Sequence, residues 1–388
     1  MLSLPQNINH YQMAGLYIHV PFCTKRCIYC DFFSNTEMKY KSSYVESIIK
    51  EMALRKDYIE GEEIETIYFG GGTPSLLSAT DFRDLFEAIQ QTFIIKEKAE
   101  ITLEANPDDI TESSVKNLCK LPFNRVSMGV QSFNDNDLHF LNRRHDSREA
   151  HQAIKLWKEN DIHNISIDLI YGLPGQTIEA WIANINEALT LDIPHISAYM
   201  LTYEKGTPLY RMLQAGKIKS ADDDLSLASF STLIKMLTTA GYIHYEISNF
   251  ARRGFFSQHN SSYWTGKKYL GLGPAAHSYN GKNRQWNVAS LPKYIEGIKN
   301  NQPITSGEIL NLFTRYNDYV ITRMRTMWGV KLSDIQKNFG NNLKNYFLKT
   351  AQPYIKEQFL IQNEDTIKLS ERGIFVSDGI MSDLLYVD

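Results

Sequence analysis

Three of the four cysteines in the chain lie within eight residues, and this spacing constrains the fold more than any other feature. Cys23, Cys27 and Cys30 form a CxxxCxxC pattern. A disulfide framework spreads paired cysteines along the chain, so this cluster indicates a reducing compartment and a metal site. Protein iron–sulfur sites usually use four cysteines, so three on one loop predict a cubane cluster with one open iron. A small molecule with amino and carboxylate groups can chelate that iron.

A zinc site of the Cys₃His type, with His19 as the fourth ligand, is the main alternative. Zinc knuckles more often carry CxxC pairs, and His19 falls within a predicted strand, so the iron–sulfur interpretation is favoured. Lys25 and Arg26 lie inside the loop and would offset the charge of the thiolates. The fourth cysteine, Cys119, has the setting of an ordinary core residue in a helix and receives no role.

Strand-like and helix-like segments alternate over the first 250 residues. Strands are predicted at 16–20, 66–69, 100–105, 125–130, 165–171 and 195–201, and helices at about 39–58, 80–92, 111–120, 147–160, 177–191 and 222–240. The strands show little apolar–polar alternation, which is typical of parallel strands covered by helices on both faces. Six such units predict an α/β fold, either an open doubly wound sheet or a partial βα barrel.

Polar residues or glycines stand where each predicted strand ends. In βα architectures the active site lies at the carboxyl ends of the strands, so these positions are expected to converge. They are Gly70 to Pro74, Glu104, Gln131, Asp168 and Gly172 to Gly175.

The pattern changes after about residue 250. Residues 252–290 are rich in Gly, Asn, His and aromatic residues without a clear period, which predicts a long functional loop region or connector. Helices are expected over 305–358, a hairpin over 359–370 and a last helix over 371–385, an order similar to a winged-helix module. The predicted division is therefore an N-terminal tail (1–14), a βα domain (15–250), a connector (251–300) and a smaller helical domain (301–388).

Composition narrows the class of protein. A length of 388 residues with 43% hydrophobic residues suits one large domain and a smaller one. The net charge of −3 provides no basic field for nucleic acid. The polar first residues lack the apolar run of a signal peptide, and no stretch reaches 18 apolar residues. We therefore expect a cytoplasmic protein that does not bind nucleic acid.

Four motifs in one order carry a family resemblance: YIHVPFC at 17–23, GGGTP at 70–74, RVSMGVQSF at 125–133 and DLIYGLPG at 168–175. Together they resemble the radical S-adenosylmethionine (SAM) superfamily, and within it the oxygen-independent coproporphyrinogen III oxidase family, over about 15–385. The resemblance implies a partial (β/α)6 barrel with a smaller C-terminal helical, winged-helix-like domain. It also implies a [4Fe-4S] cluster held by the three cysteines, with exchangeable SAM on the open iron.

Three features separate the branches of that family. The true oxidases have a longer segment before the cluster and a further cysteine two residues after the third, where this chain has Phe32. The haem chaperone branch has an HNxxYW motif, and this chain has it at 259–264. The sequence therefore resembles the haem chaperone branch.

The resemblance also implies roles for single residues. A first SAM would be contacted by Tyr17, Tyr29, Gly71, Gly72, Thr73 and Glu104, with the glycines serving its amino group and the glutamate its ribose. A second SAM, as in the oxidases, would be contacted by Gln131, Arg143 and Asp168. Arg143 as a helix-surface cation and Asp168 as a satisfied strand-end carboxylate are the simpler alternatives.

His259 is the candidate haem ligand, because imidazole is a common axial ligand of haem iron. Tyr263 and Trp264 could then pack on the porphyrin face. The alternative is that these aromatic residues only anchor the two domains together. His277 is a second candidate ligand or a structural residue.

The resemblance predicts a haem chaperone that binds haem and passes it to an acceptor protein, with an electron donor serving the cluster and peripheral contact with membrane proteins allowed. On this interpretation we expect no coproporphyrinogen oxidase activity. One alternative is the oxidase itself, which decarboxylates coproporphyrinogen III through a 5′-deoxyadenosyl radical. Another is a different radical SAM reaction, or a protein that has lost SAM cleavage.

Overall fold

A computed structural model of the protein describes residues 13–387. Most of the predicted N-terminal tail therefore lies outside the described residues, and Met13 and Ala14 belong to the first strand. The chain divides into two compact units, each built from several segments. Within the described residues, the first unit contains 13–168, 202–218 and 267–308, and the second contains 169–201, 219–266 and 309–387.

Fifteen strands and fifteen α-helices are present among residues 13–387. The strands are β1 (Met13–Val20), β2 (Glu63–Gly71), β3 (Ile95–Ala105), β4 (Arg125–Gln131), β5 (Ile165–Tyr171), β6 (His195–Met200), β7 (Ile243–Glu246), β8 (Asn249–Ala251), β9 (Lys268–Leu272), β10 (His277–Tyr279), β11 (Asn283–Asn287), β12 (Thr305–Ile309), β13 (Val330–Lys331), β14 (Leu360–Asn363) and β15 (Thr366–Leu369). The helices are α1 (Lys41–Arg55), α2 (Ala79–Thr92), α3 (Glu112–Leu118), α4 (Asp135–Phe140), α5 (Ser147–Glu159), α6 (Ile178–Thr190), α7 (Pro208–Gln214), α8 (Asp223–Thr239), α9 (Gln258–Thr265), α10 (Leu291–Lys299), α11 (Leu312–Met324), α12 (Leu332–Phe339), α13 (Asn341–Lys356), α14 (Glu371–Ile374) and α15 (Ser377–Leu384).

Parallel strands form the centre of the first unit. The strand order there is β12-β11-β10-β9-β1-β2-β3-β4, with β1, β2, β3 and β4 parallel to their neighbours and β9 parallel to β1. The six strands predicted from the sequence are confirmed as β1 to β6, and the six predicted helices are confirmed as α1, α2, α3, α5, α6 and α8. The carboxyl ends of β1 to β4 therefore lie at one edge of the sheet.

Buried apolar residues explain these strands and their helical cover. Six of the seven residues of β5 are buried, as expected for a strand covered on both faces. Between β2 and α2, the rings of four phenylalanines pack with centroids 5.1 to 5.6 Å apart. Ser78 and Asp81 form a capping box that begins α2, so the helix starts at a defined place after the glycine turn. The four phenylalanines that pack against one another between β2 and α2 are Phe69, Phe82, Phe86 and Phe123.

The second unit has its own apolar core. Strand β8 lies between β6 and β7, antiparallel to both. The predicted hairpin is confirmed as β14 and β15, which pair with β13 in a three-stranded sheet. Tyr316, Phe347 and Ile367 belong to the apolar core beneath it. Among residues 13–387, no helix is long and apolar enough to cross a membrane.

Three expectations about secondary structure were wrong. Residues 252–290 are not a long loop, because they contain α9 and the strands β9, β10 and β11. Residues 305–309, expected to be helical, form the edge strand β12, and the last helix is divided into α14 and α15. In each case short segments gain their structure from pairing or packing that local periodicity does not report.

Helix α1 holds the first strand and the chain after β9 through buried polar contacts. Tyr44 donates its hydroxyl hydrogen to the carbonyl of His19, at 2.8 Å. Glu51, fully buried, accepts hydrogen bonds from the Gly273 amide at 2.8 Å and from the Tyr294 hydroxyl at 2.6 Å. Its other oxygen accepts from Arg55 at 2.9 Å. The charge of Glu51 is thus paired and surrounded by donors.

We predict that Glu51→Leu destabilises the protein by about 3 to 5 kcal/mol, because it leaves the Arg55 charge and several donors buried without their acceptor. The measurement is the free energy of unfolding from denaturant titration. Glu46→Leu, at an exposed position of the same helix, is the control and should change that free energy by less than about 0.5 kcal/mol. Equal effects of the two substitutions would refute the prediction.

Candidate cofactor site

The cysteine loop leaves β1 and is closed at its base by backbone hydrogen bonds. The amide of Cys23 donates to the carbonyl of Asn35 at 3.0 Å, and the amide of Asn35 donates to the carbonyl of Pro21 at 2.6 Å. Midway along the loop, the Ile28 amide donates to the carbonyl of Leu141 at 3.3 Å. The loop is therefore attached at its base and at its middle.

The three thiols lie half-buried in one neighbourhood. Burial raises the pKa of Cys23, and the nearby Cys27 thiol raises it further. Burial also raises the pKa of Cys30, with the Cys27 and Cys23 thiols adding to the effect. Within residues 13–387, no three His, Cys, Asp or Glu side chains are grouped as the ligands of a single metal ion. A cubane cluster needs a different arrangement, since each cysteine binds a separate iron, and three neighbouring thiols on one loop suit it.

His19 does not complete a zinc site. Its Nδ1 is hydrogen-bonded to the hydroxyl of Tyr17 at 3.0 Å, and its Nε2 to the carbonyl of Phe33 at 2.9 Å. Burial lowers the pKa of this imidazole, which favours the neutral ring. Because both ring nitrogens are engaged, the Cys₃His alternative loses its fourth ligand.

The glycine turn after β2 lies directly against the end of β1. Gly71 has a φ of +110°, and a Cβ at this position would lie 2.5 Å from Nδ1 of His19. A Cβ on Gly72 would lie 2.7 Å from the carbonyl oxygen of Phe22. The Gly72 amide donates to the carbonyl of Val20 at 2.8 Å. Only residues without side chains allow this approach, so the turn is more than a generic reversal of the chain.

A chain of polar contacts joins the cysteine loop to two further strand ends. The hydroxyl of Thr73 lies 3.6 Å from the sulfur of Cys23 and accepts a hydrogen bond from the amide group of Asn106 at 3.1 Å. Arg143 donates to the side-chain oxygen of Asn106 at 2.7 Å and lies 3.4 Å from the sulfur of Cys27. Arg143 is therefore not a helix-surface cation. It brings a positive charge to the thiols, where thiolate ligands need one.

Asn106 is the residue of this contact chain that the sequence analysis missed. It follows β3 directly, two residues after Glu104, so its place at a strand end was a usable signal. The same rule had identified Glu104 and Gln131, and extending it by two residues would have found Asn106.

Glu104 lies between the glycine turn and a tyrosine. Its two carboxylate oxygens accept hydrogen bonds from the Tyr68 hydroxyl at 2.7 Å and from the Gly71 amide at 3.0 Å. Desolvation, reinforced by the negative charge of Asp168, raises the pKa of Glu104 to about 7. Burial, with the charge of Glu104 nearby, also raises the pKa of Tyr17. Four of the predicted positions, Tyr17, Gly71, Glu104 and Asp168, thus share one electrostatic neighbourhood.

The other predicted positions gather around Arg143. Gln131 has a φ of +68°, which is uncommon outside glycine. A Cβ on Gly129 would lie 2.7 Å from Nε2 of Gln131, and Arg143 donates to the Gly129 carbonyl at 2.6 Å. Burial raises the pKa of Tyr29, while Arg143 opposes that rise. The buried Nε of Arg143 has no hydrogen-bond partner among residues 13–387, which leaves a donor for a carboxylate ligand.

His259 lies in the second unit, on α9. It is 1% exposed, and its Nε2 is hydrogen-bonded to the hydroxyl of Tyr263 at 2.8 Å. Trp264 follows Tyr263 in the chain, and the centroid of its ring lies 6.0 Å from the guanidinium carbon of Arg325. These contacts favour a packing role, and haem coordination by His259 stays a prediction. His277 is exposed on β10 of the first unit and stacks on Trp286.

Family comparisons agree with this site. Residues 17–188 match the radical SAM superfamily, and residues 310–376 match the C-terminal domain of HemN. The heme chaperones HemW of Lactococcus lactis and Bacillus subtilis are each 30% identical to the chain. The similarity covers 96% of this chain in both cases, and 97% and 99% of those proteins. Radical S-adenosyl methionine domain-containing protein 1 of Danio rerio is 34% identical over 97% of this chain and 88% of that protein.

One solved structure is similar over nearly the whole chain. Coproporphyrinogen III oxidase (HemN) from Escherichia coli aligns with a TM-score of 0.84 at 24% identity, covering 97% of this chain and 90% of that one. At this identity the similarity concerns the fold alone. It confirms the predicted α/β fold with a smaller C-terminal domain.

The raised pKa of Glu104 predicts a pH dependence of stability. In the folded protein the Glu104 carboxyl keeps its proton up to about pH 7, whereas an ordinary glutamate loses its proton near pH 4.5. The folded state therefore loses stability relative to the unfolded state as the pH rises through this range. In the cofactor-free protein, the stability of the wild type relative to Glu104→Gln should therefore fall between pH 4.5 and 7. Denaturant titrations at several pH values measure it. Parallel stability curves would show that Glu104 titrates normally.

Proposed function

Because the chain belongs to the radical SAM family that includes the heme chaperones HemW, we propose that it is a haem chaperone, which binds haem and transfers it to an acceptor protein. The supporting observation is similarity at 30% identity that extends over both units and nearly all of the HemW proteins' length. Phe32 supports the same choice. It stands two residues after Cys30 with 68% of its surface exposed, and its side chain offers no ligand to a cluster.

The residues of the first unit suit the cofactors that the family implies, a [4Fe-4S] cluster and SAM. We propose that Cys23, Cys27 and Cys30 hold the cluster, and that SAM binds the open iron. When bound, the cluster and SAM supply one-electron chemistry at the SAM sulfonium. The chain contributes positioning and charge: Thr73 and Arg143 contact two of the cysteine sulfurs.

The SAM contacts follow from the same geometry. The glycine turn offers backbone groups without side chains in the way, and the Glu104 carboxylate suits ribose hydroxyls. We propose that one SAM is held by Tyr17, Tyr29, Gly71, Gly72, Thr73 and Glu104. A second SAM would use Gln131, Arg143 and Asp168, of which Arg143 has a free buried donor.

Anaerobic reconstitution separates the chaperone from the oxidase. With coproporphyrinogen III, SAM and a reductant, we expect no decarboxylated product. Titration with haem should instead produce a Soret band whose absorbance reaches a plateau as haem is added. Replacing the three cysteines by alanine should remove the cluster absorbance and leave haem binding in place, because the haem site is expected elsewhere. Formation of protoporphyrinogen IX would overturn the chaperone proposal.

A second prediction concerns the haem ligand. If His259 coordinates iron, His259→Ala should weaken haem binding at least tenfold and shift the Soret maximum, because one axial ligand is lost. Tyr263→Phe is the matched control: it keeps the imidazole and removes only the hydroxyl that contacts it. His277→Ala tests the exposed alternative. Unchanged haem spectra in His259→Ala would leave His259 with a packing role.

A further inference from the structure

A cleft of about 450 Å³ lies within the second unit, and none of the residues that line it is assigned to the cluster or SAM. It is bounded by the end of α8, by β7, by the turn after α11, and by the β14–β15 hairpin with the start of α14. Ligand sites of small molecules have volumes of about 300 to 1,000 Å³, with mostly apolar walls and a few polar groups. The cleft has this size.

Aliphatic and methionine side chains form about half of its walls, and polar or charged side chains form the rest. Several of the lining side chains carry no polar atom at all, and Ile361, at the rim, is 41% exposed. His244 also lines the cleft, and its contacts give it a structural role. Its ring stacks on the ring of Phe250 with centroids 4.3 Å apart, and its Nε2 is hydrogen-bonded to the carbonyl of Ile247. The aliphatic lining consists of Ile234, Ile243, Ile247, Ile361, Leu369 and Ile374.

Backbone hydrogen bonds join two sides of the cleft. The amide of Ile247 donates to the carbonyl of Arg325 at 3.2 Å, and the amide of Met327 donates to the carbonyl of Tyr245 at 3.0 Å. An isolated bridge pairs Glu246 with Thr326 between them. Because β7 and the turn after α11 are connected in this way, the cleft is part of the folded unit and not a gap between independent segments.

The cleft carries charged groups of both signs. Arg325 and Lys368 line the cleft, together with Glu246 and Glu371. Glu371 is exposed, whereas Glu246 is 5% exposed, and burial raises its pKa to about 7. Near neutral pH, Glu246 is therefore protonated in a fraction of the molecules, and in those molecules it does not neutralise the charge of Arg325 or Lys368. Asp378 lies 3.7 Å from Arg325 and is itself largely exposed.

The HNxxYW motif reaches this cleft through one residue. The ring of Trp264 faces the guanidinium of Arg325 at 6.0 Å, within the range of a cation–π interaction. His259 does not line the cleft. The motif can therefore affect a ligand in the cleft by holding Arg325, without contacting that ligand.

We infer that this cleft is the site for the tetrapyrrole, with the porphyrin body against the aliphatic wall and its propionates on Arg325 and Lys368. This inference rests on the proposed haem-binding function, and it assigns the haem-binding site to this cleft. Trp264 is then a positioning residue that acts through Arg325. Haem combines a planar apolar body with two carboxylates, and the cleft offers an aliphatic side for the first and two cations, Arg325 and Lys368, for the second.

The test uses the full-length protein and two probes, haem and metal-free protoporphyrin IX. The double variant Arg325→Gln, Lys368→Gln should weaken binding of both probes at least tenfold, because both carry the propionates. Lys349→Gln, an exposed cation on α13 outside the cleft, is the control and should stay within twofold. Loss of haem affinity with unchanged protoporphyrin affinity would overturn the inference, since it would point to iron ligation alone.

A blocking variant covers the case in which the double variant fails to fold. Thr238 is an exposed lining residue of α8, so Thr238→Trp should fill the cleft without entering the core, and binding of both probes should fall at least tenfold. Ser231→Trp, exposed on the same helix outside the cleft, should bind normally.

Two further results would overturn the inference, and they are distinguishable. If wild-type protein binds haem and Thr238→Trp binds it equally well, the cleft is not the site, and the proposed function stands. If wild-type protein binds neither haem nor protoporphyrin, the proposed function fails and the inference fails with it. Trp264→Ala should weaken binding of both probes while leaving the Soret maximum of bound haem unchanged, as a positioning role requires.

Discussion

The close approach of the glycine turn to the end of β1 is the contact on which the candidate cofactor site depends. The amides of Gly72 and Thr73 donate to the carbonyls of Val20 and Phe22 at 2.8 and 2.7 Å. This pairing places the Thr73 hydroxyl beside Cys23 and the Gly71 amide on Glu104. A side chain on either glycine would separate the two strand ends and remove these contacts together.

Charge is the second constraint at the site. Burial raises the pKa values of the Cys23 and Cys30 thiols and of the Glu104 carboxyl, because it penalises their ionised forms. Arg143 is the cation placed among them, with one nitrogen near Cys27 and another on Asn106 and Gly129. The site thus combines groups that resist ionisation with a fixed positive charge, an arrangement that suits binding of a cofactor carrying its own charges.

In the second unit, the HNxxYW motif and the proposed ligand site are largely separate. His259 and Tyr263 are engaged with one another, whereas Trp264 faces Arg325 at the cleft. A histidine in a family motif invites assignment as a metal ligand, because imidazole commonly binds iron. Its burial and its hydrogen bond to Tyr263 within the same helix provide an equally physical reason for its presence, which is to stabilise α9.

The sequence by itself determined the cysteine spacing, the six βα units and the strand-end positions, because parallel strands and glycine turns leave strong local signals. Tertiary structure decided what local signals cannot carry. Asn106, Arg143 and Thr73 lie far apart along the chain, and only the fold joins them to the cysteines. Strand β9 forms by pairing with the distant β1, and β10 and β11 extend the sheet from it. The cleft exists because β7, α11 and the β14–β15 hairpin enclose it. Such features arise from contacts between distant segments, so no single stretch of sequence encodes them.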